Sequence, residues 1–183
     1  MNRWDSFFLK ICETLASQSQ CFSRKIGAII VRDKTIISTG YNGPPRGYPK
    51  CNERTKIEPE LHRKFSELNS LTLARNETCP RRLLGYVSGT GLDICPAAHA
   101  ERNAIVNAAR EGVCVKNAMM YMSCGIPCKD CMIEIVNAGI SSLVVLNNDM
   151  YDKLAVPIAY NCGIKIRLFG ERFLEGVNYG IIL

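Results

Sequence analysis

Residues 99 to 131 begin with His99-Ala100-Glu101 and end with Pro127-Cys128-Lys129-Asp130-Cys131. Cys128 and Cys131 are three positions apart, so on one helical turn their sulfur atoms point the same way and reach one Zn²⁺ ion at about 2.3 Å. His99 is the predicted third ligand. Because three protein ligands leave one position of a tetrahedral ion open, the pattern indicates a catalytic zinc rather than a structural one.

Glu101 is predicted to be catalytic and to move protons rather than to bind the metal. Two thiolates and a neutral imidazole already balance the charge of Zn²⁺, so a further anionic ligand is not needed. A water activated by the metal still needs a nearby group that takes its proton and passes it on. Two alternatives stay open: a chance match in a chain with ten cysteines, and a closed structural site with Cys124 or Cys95 as the fourth ligand.

The same stretch predicts a helix, a strand and a second helix. The predicted ranges are a helix over 96–110, a strand over 118–123 and a helix over 128–138. Pro127 fits the first position of the second helix, where its missing N–H costs nothing. The positive end of that helix favours thiolates, and the two helix starts are expected to meet at one metal.

The rest of the chain completes an α/β pattern. The predicted elements are an amphipathic helix over 4–17, strands over 25–31, 35–39, 141–146 and 164–168, and a short helix from Tyr151. Residues 48–94 form an irregular insertion, with a helical pattern only near 58–74. The alternation predicts a three-layer α/β/α fold with a mixed five-stranded sheet and helices on both faces. With 183 residues, residues 1–183 fit a single domain.

Composition and charge narrow the class of protein. Hydrophobic residues make up 47% and charged residues 22% of the chain, as in globular proteins. No apolar run is long enough to span a membrane, so no membrane partner is expected. The first residues lack a signal-peptide pattern, which predicts a cytoplasmic location and cysteines that are metal ligands or core thiols. The net charge of +6 suits an anionic substrate or nucleic acid and does not choose between them.

The motifs and the order of elements resemble the cytidine deaminase superfamily, and within it the deoxycytidylate (dCMP) deaminases. The resemblance also rests on Lys25-Ile26-Gly27-Ala28-Ile29-Ile30-Val31 and on Gly40-Tyr41-Asn42-Gly43-Pro44-Pro45-Arg46-Gly47. It covers about residues 1–47 and 93–170. It implies the cytidine deaminase-like fold and hydrolytic deamination of dCMP to dUMP with release of ammonia, a reaction that supplies dUMP for dTTP synthesis.

The resemblance also implies roles for residues outside the two motifs. Asn42, Tyr151 and Arg24 are expected to bind the substrate, Asn42 at its sugar or base and the other two near its phosphate. Asn42 as a left-handed turn residue and Tyr151 as a buried aromatic are the alternatives. The resemblance further implies a regulatory nucleotide site near Gly43, Arg46 and Gly47, with dCTP as activator, dTTP as inhibitor and Mg²⁺ accompanying the triphosphate.

A second zinc and a homohexamer complete what the resemblance implies. The candidate ligands of this second, structural zinc are Cys21, Cys51, Cys79 and Cys95, and free buried thiols are the alternative.

Other substrates remain open: dCTP as well as dCMP, a tRNA or other nucleic acid, or a riboflavin-pathway pyrimidine. At 8% aromatic residues, with no cluster of basic and aromatic residues near the motifs, the chain argues against nucleic acid. A zinc-stabilised binding protein without catalysis is the non-enzymatic alternative.

Overall fold

A mixed sheet of five strands runs through the chain. Its strands are β1 (Gly27–Arg32), β2 (Thr35–Tyr41), β3 (Met119–Met122), β4 (Ser142–Val145) and β5 (Lys165–Leu168), in the spatial order β2-β1-β3-β4-β5. β1 pairs antiparallel with β2 and β3, whereas β3, β4 and β5 are parallel. The computed structural model describes residues 3–66, 79–87 and 89–171. The mixed five-stranded sheet predicted from the sequence is confirmed.

Helices cover both faces of this sheet, which confirms the three-layer arrangement. They are α1 (Arg3–Ser17), α2 (Cys51–Ile57), α3 (Pro59–Ser66), α4 (Pro80–Leu83), α5 (Ala100–Arg110), α6 (Lys129–Asn137) and α7 (Ala155–Asn161), with a 3-10 turn at Leu92–Ile94. None of the helices in the described ranges is long and apolar enough to cross a membrane.

The two faces of the sheet carry separate cores. Ala104 and Ala108 of α5 pack with Met132 and Ile135 of α6 against one face. On the other face, Phe8 and Cys12 of α1 pack with Ile29, Tyr121 and Val144. Successive strand residues point to opposite faces, so β1 and β4 are buried on both sides and read as continuous apolar runs.

Two glycines let the helices approach the strands closely. A Cβ atom on Gly40 of β2 would lie 2.3 Å from the carbonyl oxygen of Ala100, in the first turn of α5. A Cβ atom on Gly27 of β1 would lie 2.1 Å from the carbonyl oxygen of Cys12 in α1. Side chains larger than hydrogen do not fit at either contact, so Gly40 fixes how the helix after His99 lies on the sheet.

The two central helices begin later than the sequence predicts. Ala98 and Gly43 exchange two backbone hydrogen bonds of 2.9 and 3.1 Å, and this isolated antiparallel bridge keeps the chain extended before α5. The predicted start at Pro96 is therefore wrong, and His99 is the N-cap residue. Cys128 is likewise an extended N-cap, with φ −67° and ψ 165°. Pro127 precedes the cap, so its predicted place at the first helical position is wrong.

The insertion over 48–94 is more regular than predicted in its described parts. Lys50 is the N-cap residue of α2, and its backbone N–H donates to the Glu53 carboxylate at 2.8 Å. Pro59 and Pro80 are the first residues of α3 and α4, a position that proline favours. Of the helical pattern near 58–74, the part beyond Ser66 lies outside the described residues.

Candidate active site

His99, Cys128 and Cys131 place their ligand atoms within 4.8 Å of one another. His99 Nδ1 is 3.5 Å from Cys128 Sγ and 3.2 Å from Cys131 Sγ. Nitrogen and sulfur ligands of a tetrahedral zinc are separated by about 3.6 Å, so the three atoms fit such an ion with shifts of a few tenths of an ångström. In the described part of the chain, no other group of three or more histidine, cysteine or acidic side chains converges in this way.

The local backbone explains why these side chains meet. His99 and Cys128 are both N-cap residues. Each has an extended backbone and lies directly before the first turn of its helix. Helices α5 and α6 lie on the same face of the sheet and contact each other. Cys131, in the first turn of α6, completes the set.

Hydrogen bonding between the two thiols moves their pKa values in opposite directions. A hydrogen bond from the Cys131 thiol holds the pKa of Cys128 well below its ordinary value, and His99 acts in the same direction. The hydrogen bond to the Cys128 thiolate and burial raise the pKa of Cys131. Zinc requires thiolate ligands, so binding of the ion would release the proton of Cys131.

Glu101 is buried beside this cluster without a complete set of partners. The residue is only 4% exposed, and its Oε2 atom has no hydrogen-bond partner. Burial raises the pKa of Glu101 above its ordinary range. Because buried polar atoms are almost always hydrogen-bonded, the free carboxylate oxygen points to a partner that arrives with the metal, the water or the substrate.

Cys124 and Cys95 do not complete a closed metal site. Neither sulfur belongs to the converging set of ligand atoms. The Cys124 thiol instead donates to the carbonyl oxygen of Gly125 at 3.4 Å, and burial raises the pKa of Cys124 well above its ordinary value.

A cavity of about 970 Å³ opens over the cluster. Its lining includes His99 and Glu101 together with the three predicted substrate-binding residues, Asn42, Tyr151 and Arg24. The structure therefore brings the two motifs and these three residues to one space. It also adds Arg81, from the insertion, which belongs to no motif recognised in the sequence.

Asn42 braces the wall of this cavity. Its Oδ1 atom accepts a hydrogen bond from the Ile26 N–H at 2.8 Å, and its Nδ2 atom donates to the carbonyl oxygen of Arg24 at 2.8 Å. The alternative of a left-handed turn residue is wrong, because within the described ranges only Asp33, Lys34 and Asn117 have a positive φ apart from glycine. A direct contact between Asn42 and the substrate stays a prediction.

Tyr151 lies beside the metal cluster. Tyr151 is 48% exposed, so the alternative interpretation of Tyr151 as a buried aromatic residue is wrong. Burial of the hydroxyl group, followed by the charge of Cys128, raises the pKa of Tyr151. The next residue, Asp152, accepts a hydrogen bond from the Lys129 N–H at 3.0 Å, and so ties this loop to the first turn of α6.

The three residues of the predicted regulatory site lie outside the cavity lining. Gly43 is held by its bridge to Ala98, and Gly47 has a φ of +80°. The Arg46 guanidinium donates to Asn107 of α5 at 3.3 Å. A role in binding an effector stays a prediction for these residues.

The four cysteines proposed for a second zinc are neighbours. Burial, and after it the thiols of Cys79, Cys21 and Cys95, raise the pKa of Cys51 to about 11. Cys51 and Cys79 are buried, whereas Cys21 and Cys95 are half-buried. Their sulfur atoms do not converge within the 4.8 Å that the His99 cluster satisfies.

Comparison with known proteins gives one family and several relatives. The family model described as the cytidine and deoxycytidylate deaminase zinc-binding region matches residues 2–147. The deoxycytidylate deaminase of Schizosaccharomyces pombe is 32% identical over 167 residues, which cover 91% of this chain and 44% of that protein. The deoxycytidylate deaminase of Mycobacterium phage D29 is 34% identical over 146 residues, which cover 77% of this chain and 92% of that protein. The chain thus spans less than half the length of the first relative.

A solved structure has the same fold. The crystal structure of dCMP deaminase from the cyanophage S-TIM5, in complex with dCMP and dUMP, superposes with a TM-score of 0.64. Sequence identity is 20%, and the match covers 92% of this chain and 98% of that chain.

Proposed function

This chain belongs to the cytidine and deoxycytidylate deaminase zinc-binding family, and on that premise we propose that it deaminates dCMP to dUMP by zinc-dependent hydrolysis. The observation that carries the proposal is the buried, unpartnered Glu101 carboxylate next to the three converging ligand atoms. The names of the relatives support dCMP as the substrate, as does the nucleotide pair in the cyanophage enzyme.

The proposed reaction needs residues that bind the metal and a residue that transfers protons. His99, Cys128 and Cys131 would hold the zinc ion, which would supply a Lewis acid for the attacking water. Glu101 takes a proton from that water and delivers it to N3 of cytosine while the oxygen forms a bond to C4. Glu101 then moves the second proton of the water to the amino group. The C4–N bond breaks, ammonia leaves, and the C4 carbonyl of dUMP remains.

A panel of substrates tests this function. Ammonia release is measured from dCMP, dCTP, deoxycytidine, single-stranded DNA, tRNA and a riboflavin-pathway pyrimidine, each at the same concentration. We expect dCMP to give the highest kcat/KM. Absence of release from every nucleotide would leave the zinc-stabilised binding protein as the better reading, and faster release from tRNA or DNA would move the substrate class to nucleic acid.

Regulation and assembly belong to the same proposal. Adding dCTP with Mg²⁺ to the dCMP reaction is expected to raise the rate, and adding dTTP to lower it. Arg46→Gln is expected to weaken both effects, since Arg46 is exposed on the loop implied to bind the effector. Equal rates with and without effectors would remove regulation from the proposal.

Light scattering tests the homohexamer, and cell fractionation tests the cytoplasmic location.

A second zinc is also part of the proposal. Its support is that three thiols lie close enough to Cys51 to raise the pKa of Cys51. Zinc analysis is expected to find two ions per chain in the native protein and one in Cys51→Ser. Cys162→Ser, at an exposed free cysteine, is the control. One ion in all three proteins would mean that the four cysteines are free thiols.

A further inference from the structure

Arg81 is a buried cation in the wall of the cavity. It lies in α4, within the insertion over 48–94, and is only 9% exposed. It lines the same cavity as His99 and Glu101. From its surroundings we infer that Arg81 binds the phosphate of the nucleotide and so sets the preference for dCMP over the nucleoside, an inference that rests on the proposed function.

The guanidinium group of Arg81 is incompletely paired. One of its terminal nitrogens donates to the carbonyl oxygen of Thr90. Its Nε atom is buried and has no hydrogen-bond partner. No carboxylate of the described residues lies within 4.0 Å of the Arg81 guanidinium. Burial without a counter-charge is unfavourable for an arginine.

Other arginines of this fold show what Arg81 lacks. Arg167, with a side chain 8% exposed, pairs with Asp5 at 2.8 Å. Arg54, with a side chain 7% exposed, pairs with Glu58 at 2.6 Å. Both of these buried guanidinium groups are neutralised by a carboxylate. Arg81 is as buried as they are, and the space beside it is the cavity.

Two acidic side chains that line the cavity, those of Asp130 and Asp152, have other partners. Asp130 pairs with Lys129 at 2.7 Å. Asp152 accepts hydrogen bonds from the backbone N–H groups of Lys129 and Leu154. Neither carboxylate neutralises Arg81, and no other carboxylate in the described ranges pairs with it. An anion that enters the cavity would supply the counter-charge. A phosphate matches the planar fork of donors that a guanidinium presents.

The insertion that carries Arg81 also contacts Tyr151. Gly89, a few residues along, packs so closely on Tyr151 that an added Cβ atom would lie 3.3 Å from the ring. Tyr151 in turn lies beside the metal cluster. The wall of the cavity that carries Arg81 is therefore continuous with the wall beside His99 and Cys128.

A buried cation discriminates more strongly than an exposed one. Arg24 also lines the cavity but is exposed, so water solvates its charge when no phosphate is bound. Arg81 is only 9% exposed, so water solvates its charge less, and a nucleoside that lacks the phosphate supplies no counter-charge. Sites that bury a polar group against a substrate reject the analogue that lacks its partner.

Arg81→Gln, with Arg82→Gln as its control, tests the inference. Arg82 is adjacent in the chain but exposed. The ratio of kcat/KM for dCMP to that for deoxycytidine is expected to fall by about 10- to 100-fold in Arg81→Gln, the range for a hydrogen bond to a charged group. Arg82→Gln is expected to keep the ratio of the native protein. Equal ratios in all three proteins would overturn the inference.

A binding measurement separates this inference from the proposed reaction, because it needs no turnover. The product dUMP is expected to raise the Tm of the native protein and of Arg82→Gln, and to raise it much less in Arg81→Gln. Without ligand, Arg81→Gln is expected to be at least as stable as the native protein, since an unpaired buried charge is removed. A lower unliganded Tm with an unchanged dUMP effect would assign Arg81 a structural role through Thr90. If the Arg81-dependent shift appears but no ammonia is released, the phosphate site stands and the reaction fails.

Discussion

At the scale of single residues, the capping positions of two helices explain the site. His99 and Cys128 stand where an extended backbone turns into a helix, and the first helical turn beyond each supplies Glu101 or Cys131. The four side chains therefore come together wherever the starts of α5 and α6 lie next to each other. A shift of either start by one residue would turn a ligand away from the ion, since neighbouring helical positions differ by about 100°.

Loss of a direct ligand should release the zinc. Cys131→Ser is expected to weaken zinc binding by more than about 100-fold, because losing a direct ligand costs more than losing an outer partner of the metal. Competition with a chelator measures the affinity. Cys124→Ser, which changes a neighbouring thiol that does not converge with the ligands, is expected to bind zinc as the native protein does. Equal loss in both variants would count Cys124 as a ligand.

At the scale of helices and strands, close contacts hold the site in place. Gly40 allows α5 to lie directly on β2, and the bridge between Gly43 and Ala98 fixes the chain just before His99. The loop over 40–47, which the resemblance links to nucleotides, thus also positions His99.

Gly40→Ala should disturb both stability and the metal centre. The added methyl group would meet the backbone of Ala100 and Ala104 at 2.3 and 2.4 Å, and overpacking of this kind costs about 1–3 kcal/mol. Urea unfolding measures the loss. Gly43→Ala, where nothing lies within 4 Å of the new atom, is expected to change stability by less than about 0.5 kcal/mol. Similar losses in both variants would show that the contact with α5 is not the cause.

The sequence predicted the order of these elements but not all of their boundaries. Continuous apolar runs located β1 and β4, because both strands are buried on both faces and contain almost only apolar residues. The start of α5 was missed because it depends on a backbone bridge between Gly43 and Ala98, far apart in the chain. The ligand types and Glu101 follow from local spacing and charge, whereas Arg81 enters the cavity only through the packing of the insertion.

At the scale of the whole molecule, an ion pair joins the first helix to the last strand. The Arg167 guanidinium donates to both carboxylate oxygens of Asp5 at 2.8 and 2.9 Å, and the Gly170 N–H donates at 2.8 Å. Burial alone would raise the pKa of Asp5, but these hydrogen bonds and the charge of Arg167 lower it below its ordinary value. Residues 162 positions apart form this pair, so no local pattern could predict it.

This pair should make stability depend on pH. Because the folded state lowers the pKa of Asp5, its stabilisation is present above the ordinary aspartate pKa of about 3.9 and is lost as pH falls through the lower, folded value. Asp5→Asn is expected to reduce the free energy of unfolding at pH 7 by up to about 3–5 kcal/mol, the cost of breaking a buried pair. The difference in the free energy of unfolding between Asp5→Asn and the native protein should become smaller at acidic pH.

Thermal unfolding at neutral and acidic pH measures this difference. Asp33→Asn is the control, because Asp33 is exposed in the turn between β1 and β2 and Asn also accepts its positive φ. A difference between Asp5→Asn and the native protein that stays constant with pH would show that the charge of Asp5 does not stabilise the fold.

The rate of dUMP formation from dCMP by zinc-loaded Glu101→Gln, compared with the zinc-loaded native protein, tests the proposed chemistry most directly. Glutamine keeps the shape of the side chain but cannot take a proton from water. We expect kcat to fall by about 10²- to 10⁴-fold, the range for a lost general acid and base, while zinc content and dUMP binding stay the same. A rate near that of the native protein would contradict the assignment of proton transfer to Glu101.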